Sequence, residues 1–293
     1  MGVVFVANAM IIVSICILLI NNVVASNVSD SNRELKAYMD FGWPYINSIA
    51  HHCHWKGITC DNHGRVAEIS LQSRVGCNDD ESWWCHDVGY LDPLVFTSLT
   101  SIHLTSCGLY GVIPSQIGYL SNLSYLNVSH NHLLTSELPL SLANLSELLV
   151  LDLSSNEFYG GIPPYIGSLS NLIHLNLSHN RLESDLPLSL ANLSELRVLD
   201  ISDNYKINGV IPPEIGYLLH LIALDLNFNN INCSLPATMA QLTRLEILKL
   251  DGNSLEGVFE AGIHTLPSIT TIGLSKNSIH GRIPIPFGDV PNA

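Results

Sequence analysis

Residues 120–131 read LSNLSYLNVSHN, and residues 169–180 read LSNLIHLNLSHN. The passage LPLSLANLSELLVLDLSSN (138–156) returns as LPLSLANLSELRVLDISDN (186–204), and GGIPPYIGSL (160–169) returns as NGVIPPEIGYL (208–218). The offset is 49 residues at Asn131/Asn180, 48 at Leu142/Leu190 and 49 at Pro163/Pro212. One passage is therefore written twice, and each copy is itself two units of about 24 residues. Such a period signals a solenoid, in which each unit buries its apolar face only against its neighbours.

The same unit extends outward from the duplicated stretch. A turn position recurs every 24 or 25 residues at Cys107, Asn131, Asn156, Asn180, Asn204, Asn229, Asn253 and Asn277. Before each stands an apolar-x-apolar core such as Leu126/Val128, Leu151/Leu153 or Leu199/Ile201. Period-two alternation turns these side chains inward and the intervening ones to the opposite face. The Asn amide is expected to satisfy buried backbone groups of its own and adjacent turns. Eight parallel strands at about 4.8 Å spacing would give a sheet roughly 35 Å long. After each turn comes Gly-x-Ile-Pro or a variant, and proline there predicts extended segments and short helical turns. The fold class expected is an α/β solenoid, with a parallel β-sheet on the concave face and short 3-10 or irregular segments on the convex face.

The chain has 293 residues and a net charge of −14, with no charged residue before Asp30. Such acidity argues against a nucleic-acid partner, which needs clustered Lys and Arg. Residues 1–25 read as a secretory signal: an apolar core from Met10 to Ile20 is followed by a Val23-Val24-Ala25 exit. No Lys or Arg precedes that core, so an uncleaved anchor is the alternative, and the remainder holds no second run of about 20 apolar residues. Contact with a membrane is expected only through an uncleaved leader or a partner. Seven glycosylation sequons fit export, at Asn27, Asn122, Asn127, Asn144, Asn176, Asn192 and Asn232. Six Cys remain outside the leader, an even number suited to an oxidising compartment.

Residues 26–63 read as an N-terminal cap, which a solenoid needs to cover its open end. Ser31–Glu34 fits a capping box that opens a short helix through Met39. Cys53 and Cys60 are placed to staple this cap as a disulfide. The competing reading is a metal site from His51, His52, Cys53, His54 and Cys60, whose spacing matches no standard zinc pattern. Residues 64–98 form an irregular first repeat, with Val66–Leu71 as a strand and a surplus around Cys77–Cys85 that a second disulfide would close. Trp83 and Trp84 in that surplus are expected to pack on the cap, with a binding lip beside the acidic run as the alternative. Residues 99–288 hold about eight regular repeats, and 289–293 form a tail. Cys107 and Cys233, about 24 Å apart along the stack, are expected as thiols.

The units fit Leu-x-x-Leu-x-Leu-x-x-Asn-x-Leu-x-Gly-x-Ile-Pro and resemble the plant-type leucine-rich repeat. Cys-x-Trp-x-Gly-Ile-Thr-Cys at 53–60 resembles that group's N-terminal cap. Residues 31–288 resemble the ectodomain of a plant leucine-rich-repeat receptor-like kinase. The resemblance implies a leucine-rich-repeat superhelix that recognises a peptide or protein in plant signalling at the cell surface or in the apoplast, with a receptor-kinase co-receptor as a further partner. The alternatives are a secreted inhibitor of a cell-wall-degrading enzyme and a truncated receptor-kinase fragment without independent function. The sequence departs from the family in having no membrane span, kinase or Cys-bearing cap after Pro291-Asn292-Ala293, so it reads as a truncated product, a partial gene model or a short receptor-like fragment.

No phosphate loop, Gly-x-Ser-x-Gly elbow or His-Glu-x-x-His occurs, so neither an enzyme nor a cofactor is expected. Binding is the default for a concave parallel sheet. The candidate ligand residues there are Tyr125, His130, Asp152, His174, His179, Asp200, Asp203, Asp225, Phe228 and Lys249. The acidic members suit a basic peptide or protein loop, and protonation of the histidines at falling pH would weaken that attraction. Asn127 and Asn176 lie in the same outward column, so glycans on them would cover part of the face.

Overall fold

The computed structural model describes residues 52–72, 93–257, 262–263 and 266–281. The leader, Asn27, the capping-box helix, the Cys77/Cys85 pair with Trp83 and Trp84, and the tail lie outside the described residues.

A single ten-stranded sheet runs the length of the solenoid. The eight repeat strands are Ser101–Thr105, Tyr125–Asn127, Val150–Asp152, His174–Asn176, Val198–Asp200, Ala223–Asp225, Ile247–Lys249 and Thr271–Gly273, all parallel and in sequence order. Two further strands lengthen the sheet expected from the repeats alone. Val66–Gln72 joins directly to Ser101–Thr105, with Ile69 opposite Ile102 and Leu71 opposite Leu104. Ile58–Cys60 then pairs antiparallel with it, Ile58 opposite Ile69. This hairpin covers the side of the seven-residue strand Val66–Gln72 and leaves a three-residue strand at the end of the sheet, and a short edge strand offers few unpaired backbone groups.

The Cys53–Cys60 disulfide, with Cα atoms 5.5 Å apart, ties the hairpin to the short 3-10 turn His52–His54. Asp61 organises the hairpin's bend. Its Oδ1 accepts the N–H groups of His63 at 2.8 Å and Arg65 at 3.0 Å, and its Oδ2 faces the Arg65 guanidinium at 2.7 Å. These donors, led by the Arg65 backbone N–H, lower the Asp61 pKa from 3.8 to about 2.

In the six repeat strands from Tyr125–Asn127 to Ile247–Lys249 the middle residue is buried and its two neighbours are half-exposed. Leu151, Leu175, Leu224 and Leu248 are fully enclosed, and one column of leucines packs on the next. Each buried leucine contributes about 1.5–3 kcal/mol by leaving water.

The buried Asn ladder forms as the periodicity predicts. Asn204 shows its full use: Nδ2 donates to the carbonyls of Leu177 and Ile201, while Oδ1 accepts the Leu182 N–H at 3.0 Å. Asn156, Asn180, Asn229 and Asn253 reach the preceding strand in the same way. Cys107 occupies the first ladder position with a buried thiol, and its Sγ donates to the Leu71 carbonyl at 3.2 Å.

Among the described residues the convex side carries six five-residue 3-10 turns, beginning at Ser115, Leu140, Pro164, Leu188, Pro213 and Ala237. A proline stands before each, at 114, 139, 163, 187, 212 and 236. Its ring fixes φ and removes an N–H, so the chain enters the turn preset and without a ladder bond. Consecutive turns pack in pairs. In every second repeat a glycine (118, 167 or 216) leaves room for the next turn: a Cβ there would lie 2.6 Å from the Ser141 carbonyl oxygen, 2.3 Å from that of Ser189 and 2.4 Å from that of Thr238. Ala143, Ala191 and Ala240 fill the equivalent place in the intervening repeats, where the turns stand further apart.

The last described strand is less covered: Ile272, Leu274 and Ile279 are only half-buried. Among the described residues no helix is long and apolar enough to cross a membrane.

Candidate functional site: the concave face

The candidate ligand residues fall into three parallel rows. The first holds Tyr125, Val150, His174, Val198, Ala223 and Ile247, all half-exposed and mostly apolar. Parallel register brings them side by side, as with Val150 opposite His174 and Val198 opposite Ala223. Tyr125 is further fixed by stacking on His103, ring centroids 4.0 Å apart.

The second row holds Asn127, Asp152, Asn176, Asp200, Asp225 and Lys249. In every member but Lys249 one side-chain oxygen closes the turn that follows the strand; after Lys249 the Asn227 Oδ1 of the preceding repeat accepts the Asp251 N–H at 2.6 Å. Asp152 Oδ1 accepts the Ser154 N–H at 3.0 Å and hydroxyl at 2.7 Å. Asp200 does the same with Ser202, at 3.0 and 2.7 Å, and the neutral Asn176 does it with Ser178 at the same distances. Asn127 repeats the arrangement with Ser129. The turn needs an oxygen and is indifferent to charge, so the negative charges of Asp152 and Asp200 exceed what the fold requires.

Those charges are not equally open. Asp225 faces Lys249 Nζ at 3.0 Å. That hydrogen bond, aided by the charges of Asp200 and Asp251, raises the Lys249 pKa. Asp152 Oδ2 receives the Asn127 amide at 3.3 Å. At the far end Gly273 offers no oxygen to the row, and Asp251 closes the Ser275 turn from the neighbouring repeat instead.

The third row, beyond the strands, holds His130, Ser155, His179, Asp203, Phe228 and Lys276, all with φ between 52° and 59°. A non-glycine residue in this left-handed region is costly unless its surroundings impose it. The cause is the ladder: the N–H of His130 donates to the Ser154 carbonyl, that of His179 to Ser202 and that of Phe228 to Asp251. The side chains are thereby directed away from the core. His179 Nε2 lies 3.6 Å from Asp203 Oδ2, and the Lys276 ammonium sits 5.5 Å from the Phe228 ring centre.

The rows are thus brought together as neighbours along one face, with His130, His179, Asp203 and Phe228 at its margin. Sequence reading identified the acidic residues but missed their turn-closing role. The Asx-x-Ser spacing at 127/129, 152/154, 176/178 and 200/202 was the available signal.

Other predicted positions lie elsewhere. Asn144 and Asn192 are exposed at the ends of convex turns, whereas Asn127 and Asn176 sit on the concave strands. Asn122 is exposed with its amide on the Thr97 carbonyl, and Asn232 is half-buried beside the exposed thiol of Cys233. His52, Cys53 and Cys60 cluster within 4.8 Å. The two sulfurs are bonded to each other and are not thiolate ligands, and the His52 ring faces the Gly64 carbonyl. A cavity between residues 161–164, 184–188 and 208–212 lies on the flank that carries the turns, apart from the concave face.

The Leucine Rich Repeat family matches residues 122–145, 147–169, 171–193 and 195–218. The chain is 34% identical over 96 residues to the leucine-rich repeat receptor-like serine/threonine-protein kinase RGI4 of Arabidopsis thaliana, covering 31% of this chain and 7% of that one. Its structure resembles the ectodomain of the Arabidopsis thaliana membrane receptor kinase GASSHO1/SCHENGEN3, solved in complex with CASPARIAN STRIP INTEGRITY FACTOR 2. The TM-score is 0.75 and the identity 31%, over 89% of this chain and 34% of that one. It also resembles the Arabidopsis receptor kinase HAESA, solved with the peptide hormone IDA and the co-receptor SERK1, at a TM-score of 0.71 and 26% identity over 87% of this chain and 47% of that one. The chain therefore spans less than half the length of each of these relatives. It carries leucine-rich repeats over residues 122–218 and resembles the ectodomains of plant leucine-rich-repeat receptor-like kinases.

Proposed function

We propose that this chain is a non-enzymatic, extracellular recognition protein of the receptor-like kind, binding a peptide or protein through its concave face. The observation that carries this reading is the second row. Asn176 closes its turn as well as Asp200 does, so the carboxylates of Asp152 and Asp200 hold charge that the scaffold does not need. Charge beside a half-exposed apolar row suits a ligand that is both basic and apolar. Tyr125, His174, Asp225 and Lys249 would shape the same surface, and His130, His179, Asp203 and Phe228 its margin. The peptide hormone and the co-receptor solved with the similar HAESA ectodomain support the reading. Glycans on Asn144 and Asn192 would leave this face open.

A random-peptide display library panned on the immobilised secreted chain tests the proposal. Binders should be lost on Val198→Arg, which fills the centre of the face, and kept on Leu188→Arg on the convex side, where Leu188 is 63% exposed. Binders lost on the convex variant and kept on the concave one would refute it.

A further inference from the structure

Resting on the concave-face reading, we infer that the ligand is an extended peptide in the polyproline II conformation with basic side chains three residues apart. Three observations converge on this chemistry. The first is that the 49-residue duplication places the same Val-Leu-Asp strand twice, at Val150–Asp152 and Val198–Asp200. Each strand presents a half-exposed valine and a carboxylate on the concave face. A Lys or Arg fits such a pair, its aliphatic stem lying over the valine and its head on the carboxylate.

The second observation is the spacing of charge. Between the two pairs lies His174–Asn176, whose second-row residue is neutral. Beyond them Asp225 is matched by Lys249 at 3.0 Å. Asp152 and Asp200, the two carboxylates of this row without a cation in ion-pair contact among the described residues, therefore stand two strands apart, which is about 9.6 Å at ordinary strand spacing. The Asn127 amide on Asp152 Oδ2 is neutral and leaves that charge uncompensated. A polyproline II peptide lying along the solenoid returns every third side chain to one side after about 9.3 Å. A β-strand repeats on one side at about 6.6 or 13 Å and cannot meet both pairs at once.

The third observation concerns backbone bonding. The strand ends are already used between repeats: Leu153 donates to Asn176, Leu177 to Asp200 and Ile201 to Asp225. The face offers side chains and no free ladder, so a ligand backbone keeps its water. Polyproline II is the extended form that needs no hydrogen-bond partner.

The same library, panned in parallel on the parent chain and on the Asp152→Asn/Asp200→Asn double variant, tests this. The double variant keeps its fold because Asn already closes the equivalent turns at 127 and 176. Parent binders should be enriched in Lys or Arg pairs at i and i+3, and that enrichment should vanish on the double variant. For the best binder, each single Asp→Asn change should weaken Kd about 2- to 5-fold, less at high salt. Binders without such pairs, or with pairs at other spacings, overturn the inference while leaving the concave-face reading standing if Val198→Arg still abolishes them. Binders indifferent to Val198→Arg, or no enrichment at all, overturn that reading as well.

Discussion

Two rows of amide and carboxylate side chains run along this solenoid, and they obey different rules. In the buried ladder from Asn131 to Asn277 every residue is Asn. In the half-exposed row Asn127, Asp152, Asn176, Asp200 and Asp225 alternate freely. The difference lies in which atoms are used. Ladder amides work at both ends, donating to two carbonyls and accepting an N–H, so a carboxylate would set oxygen against oxygen in a site without water. Row residues close the backbone turn through one oxygen alone, and their other atom bonds no backbone group: it meets a neighbouring side chain, as in Asp152 with Asn127 and Asp225 with Lys249, or is left over, as in Asp200. A repeated polar residue is thus scaffold where both its ends are bonded, and open to functional change where only one is.

The largest expected effect breaks the buried row. Asn204→Ala leaves the buried Leu182 N–H without its acceptor and takes one of two amide donors from each of the Leu177 and Ile201 carbonyls, and should cost about 2–4 kcal/mol in chemical denaturation. If it costs no more than an exposed-row change, the two rows are not different in kind. Next comes packing between turns. Gly167→Ala drives a methyl against the Ser189 carbonyl and should cost about 1–3 kcal/mol, whereas Ala191→Gly in the alternate repeat should cost less, about 1 kcal/mol or below.

The exposed row gives smaller numbers. Asp200→Ala should lose about 1 kcal/mol with its turn closure, and Asp200→Asn should stay within about 0.5 kcal/mol of the parent. A large loss in the Asn variant would mean that the charge itself is structural. The smallest effect is a proton count. Asp61 closes its bend with a carboxylate held at about 2 against an ordinary 3.8. A lowered pKa stabilises the fold above the ordinary value, and that contribution disappears as pH falls from 3.8 through about 2. The NMR titration of the Asp61 carboxyl should move back toward 3.8 in Arg65→Ala, which removes the guanidinium.

The repeat, the strand cores and the ladder were legible because each is a spacing, and a spacing needs no knowledge of neighbours. The concave columns were legible for the same reason, since alternation assigns Asp152 and Asp200 to one face. The Ile58–Cys60 strand was not, because three residues between a cysteine staple and a bend carry no period of their own. Nor was the left-handed row: Ser155, His179 and Phe228 have no common preference for positive φ, which a hydrogen bond to the next repeat imposes. The Lys249–Asp225 pair needed the register of two strands, and register is a tertiary fact.

The glycines of the convex turns have a consequence for how such a chain can change length. Because Gly118, Gly167 and Gly216 each close on the following repeat, the indivisible brick is a pair of repeats. Removing one repeat would set two glycine turns, or two alanine turns, side by side and leave one joint mismatched. Removing or inserting 49 residues, the offset between Asn131 and Asn180, joins like to like. Growth and shrinkage of this protein in evolution, and its redesign as a ruler of chosen length, should proceed in even steps.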